Sequence, residues 1–302
     1  MLDDRLRTAY LAPDGYAAVL RDELGAVEAV FDHLLLAPGP MRTARWAANV
    51  WREPQVIRIE SIGAGVRALR AIQRNWWLYP TGHYRRAALL QEQLPHVAAR
   101  PLHYGDAPPA APLGSWTMLD PNTLLAAPRC TSPFPNGVVQ FVQDREGPPN
   151  RAYLKLWEAW ARLRCWPQPG ERCVDLGSSP GGWTFALQRT GAEVLSVDKA
   201  PLAPEVAALP RVTHLLQSAF ALDPEQLGPV DWLCCDIACY PDRLLQLVQR
   251  FLAAGTCRRM VCTIKLQGET DHGIAQAFAE LPGVEVLHLH HNKHELTFVR
   301  TG

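Results

Sequence analysis

Apolar and polar positions follow two different patterns in this chain, and the change falls near residue 150. Beyond that point, short apolar runs alternate with amphipathic stretches, which is the pattern of alternating strands and helices. Strands are predicted at residues 172–176, 193–197, 212–216, 230–235, 259–264, 284–290 and 295–300, and helices at 152–163, 182–189, 241–253 and 271–280. This alternation predicts a mostly parallel sheet with helices on both faces. The last two runs are close enough in sequence to pair as an antiparallel hairpin.

The first half of the chain lacks this regular alternation. Its predicted elements are strands at 8–11 and 56–60 and helices at 16–24 and 64–74. Residues 101–149 are rich in proline and glycine around one apolar, strand-like stretch, 116–126, which predicts a connector. The chain is long enough for two domains, each with its own core. We therefore expect a small α+β domain at 1–100, a connector at 101–149 and an α/β domain at 150–302.

The most informative segment is the glycine-rich turn at the end of the first strand of the α/β domain. Residues 173–182 read Cys-Val-Asp-Leu-Gly-Ser-Ser-Pro-Gly-Gly, a buried strand that ends in glycines where a helix begins. The next strand ends in an acid, Asp198. Strand, glycine turn, helix, strand and terminal carboxylate form the nucleoside-binding half of a Rossmann-like unit. The spacing differs from the Gly-x-Gly-x-x-Gly of dinucleotide sites. Asp198 stands where a carboxylate can accept hydrogen bonds from ribose hydroxyls.

Four charged residues are predicted to meet at the ligand edge of this sheet. Asp236 and Lys265 end the fourth and fifth strands, Glu295 opens the last strand, and Lys155 lies on the helix before the first strand. A lysine at the end of a buried strand is costly unless it is paired. Each residue alone has an ordinary explanation, namely a solvated helix lysine, a turn aspartate or half of a surface ion pair. Together and in this order they favour a catalytic set.

These motifs resemble the FtsJ-like family of RNA ribose 2′-O-methyltransferases. The similar segments are Arg-Ala-x-x-Lys-Leu at 151–156, Asp-Leu-Gly-x-x-Pro-Gly-Gly-Trp at 175–183, Ser-Val-Asp at 196–198 and the late lysine and glutamate. The resemblance covers residues 150–302 and is closest to enzymes that methylate a cytidine of ribosomal RNA. It implies an α/β, Rossmann-like S-adenosylmethionine-dependent methyltransferase fold with an antiparallel last strand, preceded by the α+β domain.

The resemblance also assigns residues to roles. The catalytic set is Lys155, Asp236, Lys265 and Glu295. The residues implied to hold S-adenosylmethionine are Asp175, Gly177, Ser178, Pro180, Gly181, Gly182, Trp183, Asp198 and Asp236. Two departures stand out. The ribosomal RNA enzymes carry a larger N-terminal region with a THUMP RNA-binding module, and Ser218 stands where the family often has an acid for the adenine.

The chemistry implied by the resemblance explains these residue types. Transfer of a methyl group from a sulfonium to a ribose 2′-hydroxyl requires in-line approach and loss of the hydroxyl proton. A lysine that removes or steers that proton needs neighbours that control its charge. Lys265 is the implied base or steering group, and the other three set its charge and position. No metal is required, because S-adenosylmethionine carries its own electrophile.

A basic stretch in the first half suggests a contact with RNA. Residues 61–91 contain no acid. Five arginines, Arg67, Arg70, Arg74, Arg85 and Arg86, alternate there with the aromatic residues Trp76, Trp77, Tyr79 and Tyr84. Arginines and exposed aromatic rings bind phosphates and stack on unpaired bases. The alternative is an amphipathic helix with a solvated arginine face and tryptophans buried in the core. The spacing leaves both interpretations open.

The composition narrows the remaining possibilities. The net charge is zero, which disfavours indiscriminate coating of nucleic acid. No apolar run is long enough to span a membrane and the N-terminus lacks a secretory apolar region, so we expect a cytoplasmic protein. The eight cysteines lack disulfide or zinc spacing and are expected to be reduced thiols. Histidines 288, 290, 291 and 294 suggest either a metal site or, preferably, a polar strand end near the substrate cleft.

The function predicted from the sequence is therefore S-adenosylmethionine-dependent 2′-O-methylation of RNA, foremost ribosomal RNA. The alternatives are the same chemistry on tRNA or an mRNA cap, and a non-catalytic RNA-binding or assembly protein that retains the fold. RNA is the expected partner. Neither a membrane nor a metal is expected as a partner, and we expect a monomer.

Overall fold

The computed structural model describes residues 6–302, and the chain divides into two compact units. Unit 1 comprises the residues up to Leu102 together with Pro108–Gln140. Unit 2 comprises His103–Ala107 and Phe141–Gly302. Within the described part of the chain, no helix is both long and apolar enough to cross a membrane. All eight cysteines are free thiols.

Unit 1 is an α+β unit with two sheets. Its strands are β1 (Arg7–Leu11), β2 (Ala29–Phe31), β3 (Leu34–Pro38), β4 (Asn49–Arg52), β5 (Gln55–Arg58), β6 (Trp76–Leu78), β7 (Gly114–Asp120), β8 (Thr123–Ala127) and β9 (Arg129–Cys130). Its helices are α1 (Ala17–Leu24), α2 (Ile62–Ile72) and α3 (Tyr84–Gln91). One sheet has the order β2-β3-β1-β4-β9 and the other the order β5-β8-β7-β6.

The predicted connector is wrong as a separate segment, because most of it is folded into unit 1. The apolar stretch 116–126 forms two antiparallel strands, β7 and β8, rather than one. Strand β8 is buried along its whole length. Leu124 and Ala126 pack into one apolar cluster of unit 1, and Leu125 and Ala127 pack into the other. Successive side chains of a strand point to opposite faces, so β8 supplies both cores.

Unit 2 has the alternating order of strands and helices that the sequence predicts. Its strands are β10 (Arg172–Leu176), β11 (Glu193–Asp198), β12 (Val212–Leu216), β13 (Val230–Cys235), β14 (Cys257–Lys265), β15 (Val284–Leu287) and β16 (Glu295–Arg300). Its helices are α4 (Tyr153–Leu163), α5 (Gly182–Arg189), α6 (Pro204–Ala207), α7 (Pro224–Leu227), α8 (Pro241–Ala254) and α9 (His272–Ala279).

The sheet of unit 2 has the order β12-β11-β10-β13-β14-β16-β15. The first five strands of this order are parallel, β16 is antiparallel to β14, and β15 and β16 form the predicted antiparallel hairpin. Helices cover both faces. Val299 packs with Trp157 and Trp160 of α4, whereas the neighbouring Phe298 meets Phe278 of α9 with 5.8 Å between ring centroids. The structure thus confirms the predicted α/β, Rossmann-like fold of the second half.

One boundary in unit 2 differs from the prediction in a way that matters for the site. Strand β15 ends at Leu287, so the histidines at 288, 290, 291 and 294 lie in the turn before β16 and not on a strand. His288 is buried. Because these histidines are not in a strand, side-chain contacts hold them in place rather than the hydrogen bonds of a sheet. The parallel strands end at one edge of the sheet, and β16 begins there.

Candidate active site

Four charged side chains meet at that edge, each supplied by a different element. Asp236 follows β13 and Lys265 ends β14, and these two strands are parallel neighbours. Glu295 opens β16, where it is the register partner of Lys265. Lys155 comes from the beginning of α4. The sheet order therefore brings together the four residues that the sequence singled out.

Asp236 is at the centre of this cluster. Lys155 Nζ lies 3.0 Å from the Asp236 carboxylate and 3.0 Å from Glu295 Oε1. Lys265 Nζ lies 3.0 Å from Asp236 Oδ1 and donates to the Asp236 carbonyl oxygen at 2.6 Å. Two ammonium groups and two carboxylates form one connected network whose charges balance, so neither carboxylate is buried without a counter-charge.

The two lysines are not equivalent. The Lys155 side chain is 12% exposed and the Lys265 side chain is 27% exposed. Burial by itself lowers the pKa of Lys155, but the carboxylates of Asp236 and Glu295 outweigh it, and the pKa is raised above its ordinary value. Lys155 therefore keeps its proton at neutral pH. Of the two amines, Lys265 is the more exposed and has a single carboxylate partner.

Glu158, one turn further along α4, is a site residue that the sequence reasoning missed. Its carboxylate is fully buried and accepts hydrogen bonds from the backbone N–H groups of His290 and His291 at 2.8 and 3.0 Å, and from the His291 ring at 2.7 Å. Arg162 Nε donates to it at 2.9 Å. The turn that leads into Glu295 is thus fixed to the same helix that carries Lys155. An acid inside a nearly continuous apolar run, residues 156–161, was the signal for it.

The surroundings of Glu158 favour its ionised form. Burial alone raises the pKa of this carboxyl, but Arg162, His291 and the backbone donors outweigh it and lower the pKa to about 2. His288 in the same turn is buried, its pKa is lowered to about 4 by that burial, and its Nε2 lies 3.1 Å from the carbonyl oxygen of Lys293. Among residues 6–302 there is no group of three or more side chains that could hold a metal ion. His288 and His291 make hydrogen-bonding contacts that hold this turn.

The glycine loop follows β10 and is built more tightly than its sequence suggests. Gly177 and Gly181 have φ angles of 74° and 120°, which side chains with a Cβ rarely adopt. A Cβ on Gly177 would lie 2.4 Å from Ile237, and one on Gly181 would lie 2.8 Å from Val206. The sequence suggested that these glycines allow close approach to a ligand, and the structure adds a second reason, which is close packing within unit 2.

Two carboxylates flank this loop. Asp198 at the end of β11 accepts hydrogen bonds from the N–H groups of Ser179 at 3.1 Å and Ala200 at 2.9 Å, so its position is fixed at the rim of the loop. Asp175 in β10 is fully buried, and Thr184 donates to its Oδ2 at 2.6 Å. Its Oδ1 has no hydrogen-bond partner in the described residues. Burial raises the pKa of Asp175 to about 7, although the Thr184 hydrogen bond opposes this.

The other residues expected at the cofactor lie in different surroundings. Ser178 is buried and accepts a hydrogen bond from Ser196 at 2.6 Å, and Ser196 in turn contacts His214 Nδ1 at 3.0 Å. Pro180 is exposed, and Gly182 begins α5. Trp183 packs into the core of unit 2 and donates to the carbonyl oxygen of Ala152 at 2.9 Å. Trp183 thus connects the end of the glycine loop to the beginning of α4.

The five arginines predicted to bind RNA all lie in unit 1. Arg67, Arg70, Arg74 and Arg85 are exposed, and Arg86 is half-buried with its Nε donating to the Pro121 carbonyl oxygen at 2.8 Å. Some of the aromatic residues of this stretch are buried in the core, and others are exposed enough to stack on RNA bases. Trp76 is fully buried, as the core interpretation predicts. Trp77 and Tyr79 are half-buried, and Tyr84 is 65% exposed.

We predict that Glu158→Gln destabilises unit 2 by about 3–5 kcal/mol at neutral pH, because it leaves Arg162 without its buried counter-charge. The folded-state pKa is depressed from about 4.5 to about 2, so the carboxylate contributes fully above its unfolded pKa. The stability that the Glu158 carboxylate contributes is lost as the pH falls from about 4.5 to about 2. Chemical denaturation of both proteins, at neutral pH and after stepwise acidification, measures the difference. The exposed Glu193→Gln is the matched control, and a loss that is the same at every pH would contradict the assignment.

Comparison with known proteins shows which proteins the residues of this site resemble. Residues 148–273 match the family model of the FtsJ-like methyltransferase. The ribosomal RNA large subunit methyltransferase M of Pseudomonas putida (strain GB-1) is 39% identical over 139 residues, which cover 44% of this chain and 38% of that protein. The protein of the same name from Azotobacter vinelandii is 35% identical over 162 residues, covering 52% of this chain and 45% of that protein.

The matches to known proteins cover only part of each relative. The matched segments span less than half the length of those relatives. Among solved structures, Aeropyrum pernix fibrillarin in complex with S-adenosyl-L-methionine is similar with a TM-score of 0.36 at 18% identity, covering 61% of this chain and 81% of that chain. A TM-score that low adds nothing to the assignment. The residues that match the family model contain the glycine loop, Lys155, Asp236 and Lys265, so the part of unit 2 that forms the site is similar to the FtsJ-like methyltransferases.

Proposed function

We propose that this protein transfers a methyl group from S-adenosylmethionine to a ribose 2′-hydroxyl of RNA, and that its substrate is ribosomal RNA. The observation that carries the proposal is the network of Lys155, Asp236, Lys265 and Glu295 at the edge of the sheet. The choice of ribosomal RNA is supported by the names of the relatives that unit 2 matches. Such a substrate also favours a cytoplasmic location.

The loop and its flanking carboxylates fit the proposed cofactor. Asp198 would accept hydrogen bonds from the ribose hydroxyls, and the backbone of residues 177–182 would line the cofactor. The unpartnered Oδ1 of Asp175 lies below the same loop and is an acceptor in need of a donor. When bound, S-adenosylmethionine supplies an electrophilic methyl group that needs no metal for activation.

The chain's own task is to hold the ribose hydroxyl and to handle its proton. Lys265 is the most exposed member of the network, so it is the residue that we expect to touch the substrate. An ammonium group has three donors, and the Asp236 carboxylate and carbonyl oxygen account for two of those of Lys265. The third is free to orient a hydroxyl oxygen. If the Lys265 amine is neutral, it would instead accept the proton of the ribose hydroxyl.

The other three residues act through Lys265. Asp236 holds the Lys265 amine in place by two contacts. Lys155 keeps its proton and so neutralises Asp236 and Glu295 together. We therefore regard Lys155 and Glu295 as positioning residues. Unit 1, with its exposed arginines, is the proposed RNA-recruiting part of the chain.

Cofactor binding should depend on the conformation of the glycine loop. Gly181→Val should abolish detectable binding of S-adenosylmethionine, because its Cβ would meet Val206 and its φ of 120° disfavours a β-branched residue. Gly170→Val is the matched control, since Gly170 also has a positive φ but no atom lies within 4 Å of its Cβ position. Calorimetric titration gives both affinities. Wild-type affinity in a folded Gly181→Val protein would remove the loop from the cofactor site.

Lys265 should be needed for methyl transfer rather than for binding. We expect Lys265→Ala to bind RNA and cofactor nearly normally and to transfer methyl roughly 10²–10⁴-fold more slowly, as for other positioned acid–base groups. Lys265→Arg should be equally slow, because a guanidinium keeps its proton at neutral pH. Single-turnover rates at saturating RNA and cofactor test this. Near wild-type turnover in Lys265→Arg would show that a positive charge suffices, and the base role would be withdrawn.

The arginines of helix α2, together with Arg74 just after it, should recruit RNA without affecting the cofactor. Replacing Arg67, Arg70 and Arg74 together by alanine should weaken RNA binding. It should also reduce the salt dependence of the binding constant by a slope of about 2, because fewer counterions are released from a single strand. The double variant Arg21→Ala/Arg52→Ala, which removes exposed arginines elsewhere in unit 1, is the control. If the triple variant binds RNA with unchanged affinity and salt slope, these three arginines are merely solvated.

A further inference from the structure

Unit 1 contains a cavity that the catalytic proposal does not use. Its volume is about 550 Å³, within the range of sites that hold small ligands. The lining is mainly apolar and includes Trp77, Leu102, Pro112 and Phe134. Since every lining residue belongs to unit 1, the cavity is a feature of that unit alone.

Strand alternation explains how an aromatic ring comes to line this cavity. Trp76 and Trp77 are consecutive in β6, the edge strand of its sheet, so their side chains lie on opposite faces. Trp76 is fully buried and its Nε1 donates to the Leu69 carbonyl oxygen at 2.9 Å. Trp77 is half-buried and borders the cavity. One tryptophan completes the core and the other is left with a face toward the cavity.

A fixed amide group also lines the cavity. Asn136 has a φ of 51°, in the left-handed region, and its Nδ2 donates to the Leu78 carbonyl oxygen at 3.4 Å. The next residue, Gly137, packs so closely on Ala48 that a Cβ there would lie 2.2 Å from the Ala48 carbonyl oxygen. The segment therefore cannot relax easily. The buried Oδ1 of Asn136 has no hydrogen-bond partner within residues 6–302.

The charge around the cavity is positive. Arg100 is part of its lining. A second depression, lined by Arg70, Gln73, Arg74 and Pro95, adjoins it in sequence at Arg74–Asn75 and Pro95–His96. In the described chain, Arg70, Arg74 and Arg100 form no ion pair, and residues 61–91 contain no acid. Unpaired arginines beside an apolar cavity are complementary to a ligand with an aromatic part and an anionic part.

We propose that this cavity receives an unpaired base of the RNA substrate. The base stacks on Trp77 beside the wall that Asn136 and Gly137 hold in place, and the flanking phosphates contact Arg70 and Arg74. Single-stranded RNA is recognised in this way, by stacking on aromatic rings and by hydrogen bonds to exposed base edges. The site rests on the proposed RNA substrate, but it is independent of the methyl-transfer step.

The test compares binding of a fluorescently labelled single-stranded RNA of mixed sequence with binding of its perfect duplex, by anisotropy and without any methyl donor. The wild type should prefer the single strand. Trp77→Ala should bind the single strand roughly 5- to 150-fold more weakly, the loss expected for one base–aromatic stack, and should bind the duplex unchanged. Trp77→Phe should retain most of the affinity. Tyr84→Ala, which removes an exposed aromatic ring of the same stretch outside the cavity, is the matched control.

Several outcomes would overturn the proposal. They are an unaltered single-strand affinity in Trp77→Ala, an equal loss on single strand and duplex, and an equal loss in Tyr84→Ala. If Trp77→Ala does not fold, crosslinking of the wild type to a thiouridine-substituted single strand replaces it. Crosslinks to the peptides that contain Trp77 or Phe134 support the site, and crosslinks found only elsewhere refute it. The binding assay contains no methyl donor and involves no methyl transfer, so a failure of the catalytic proposal would not change this result.

Discussion

The Asp236 carboxylate, shared between two ammonium groups, is the interaction on which the site depends. It exists because β13 lies between β10 and β14 in a parallel sheet, so that the chain leaves β13 beside the end of β14 and below the start of α4. A half-buried carboxylate with two amines and a second acid is stable only while all members are present. Removal of one partner from such a network leaves a charge that costs about 3–5 kcal/mol. The same balance keeps the amine of Lys265 in one position at the edge of the sheet.

Helix α4 determines most of this arrangement. Its Lys155 bridges Asp236 and Glu295, and its Glu158 holds the backbone of the turn that precedes Glu295. The helix is itself anchored by Trp157 and Trp160 in the core and by the Trp183 hydrogen bond to Ala152. The glycine loop and the catalytic network therefore share one support. A disturbance of α4 is expected to reach both the proton-handling residues and the cofactor loop.

The sequence predicted the strands of unit 2 closely because buried parallel strands appear as short apolar runs with clear breaks between them. It predicted that Asp236, Lys265 and Glu295 would meet because each stands at one end of such a run, whereas Lys155 was added from its place on the helix before the first strand. Unit 1 was harder, since β2, β6 and β9 are only two or three residues long, and β6 and β9 pair with distant segments. Strand β8 lies in a segment rich in proline, yet it is buried on both faces. Glu158 was missed because the burial of an acid depends on partners that only the fold brings near.

The central claim is that the Lys155, Asp236, Lys265 and Glu295 network serves methyl transfer to a ribose hydroxyl of RNA. The most direct measurement is mass-spectrometric mapping of modified nucleosides in total cellular RNA with and without the protein, followed by incubation of the unmodified RNA with purified protein and isotopically labelled S-adenosylmethionine. The account predicts a labelled 2′-O-methylnucleoside at one position of ribosomal RNA. The label on tRNA or an mRNA cap would keep the chemistry but replace the substrate. A label on a base, or no label in any RNA, would contradict the account.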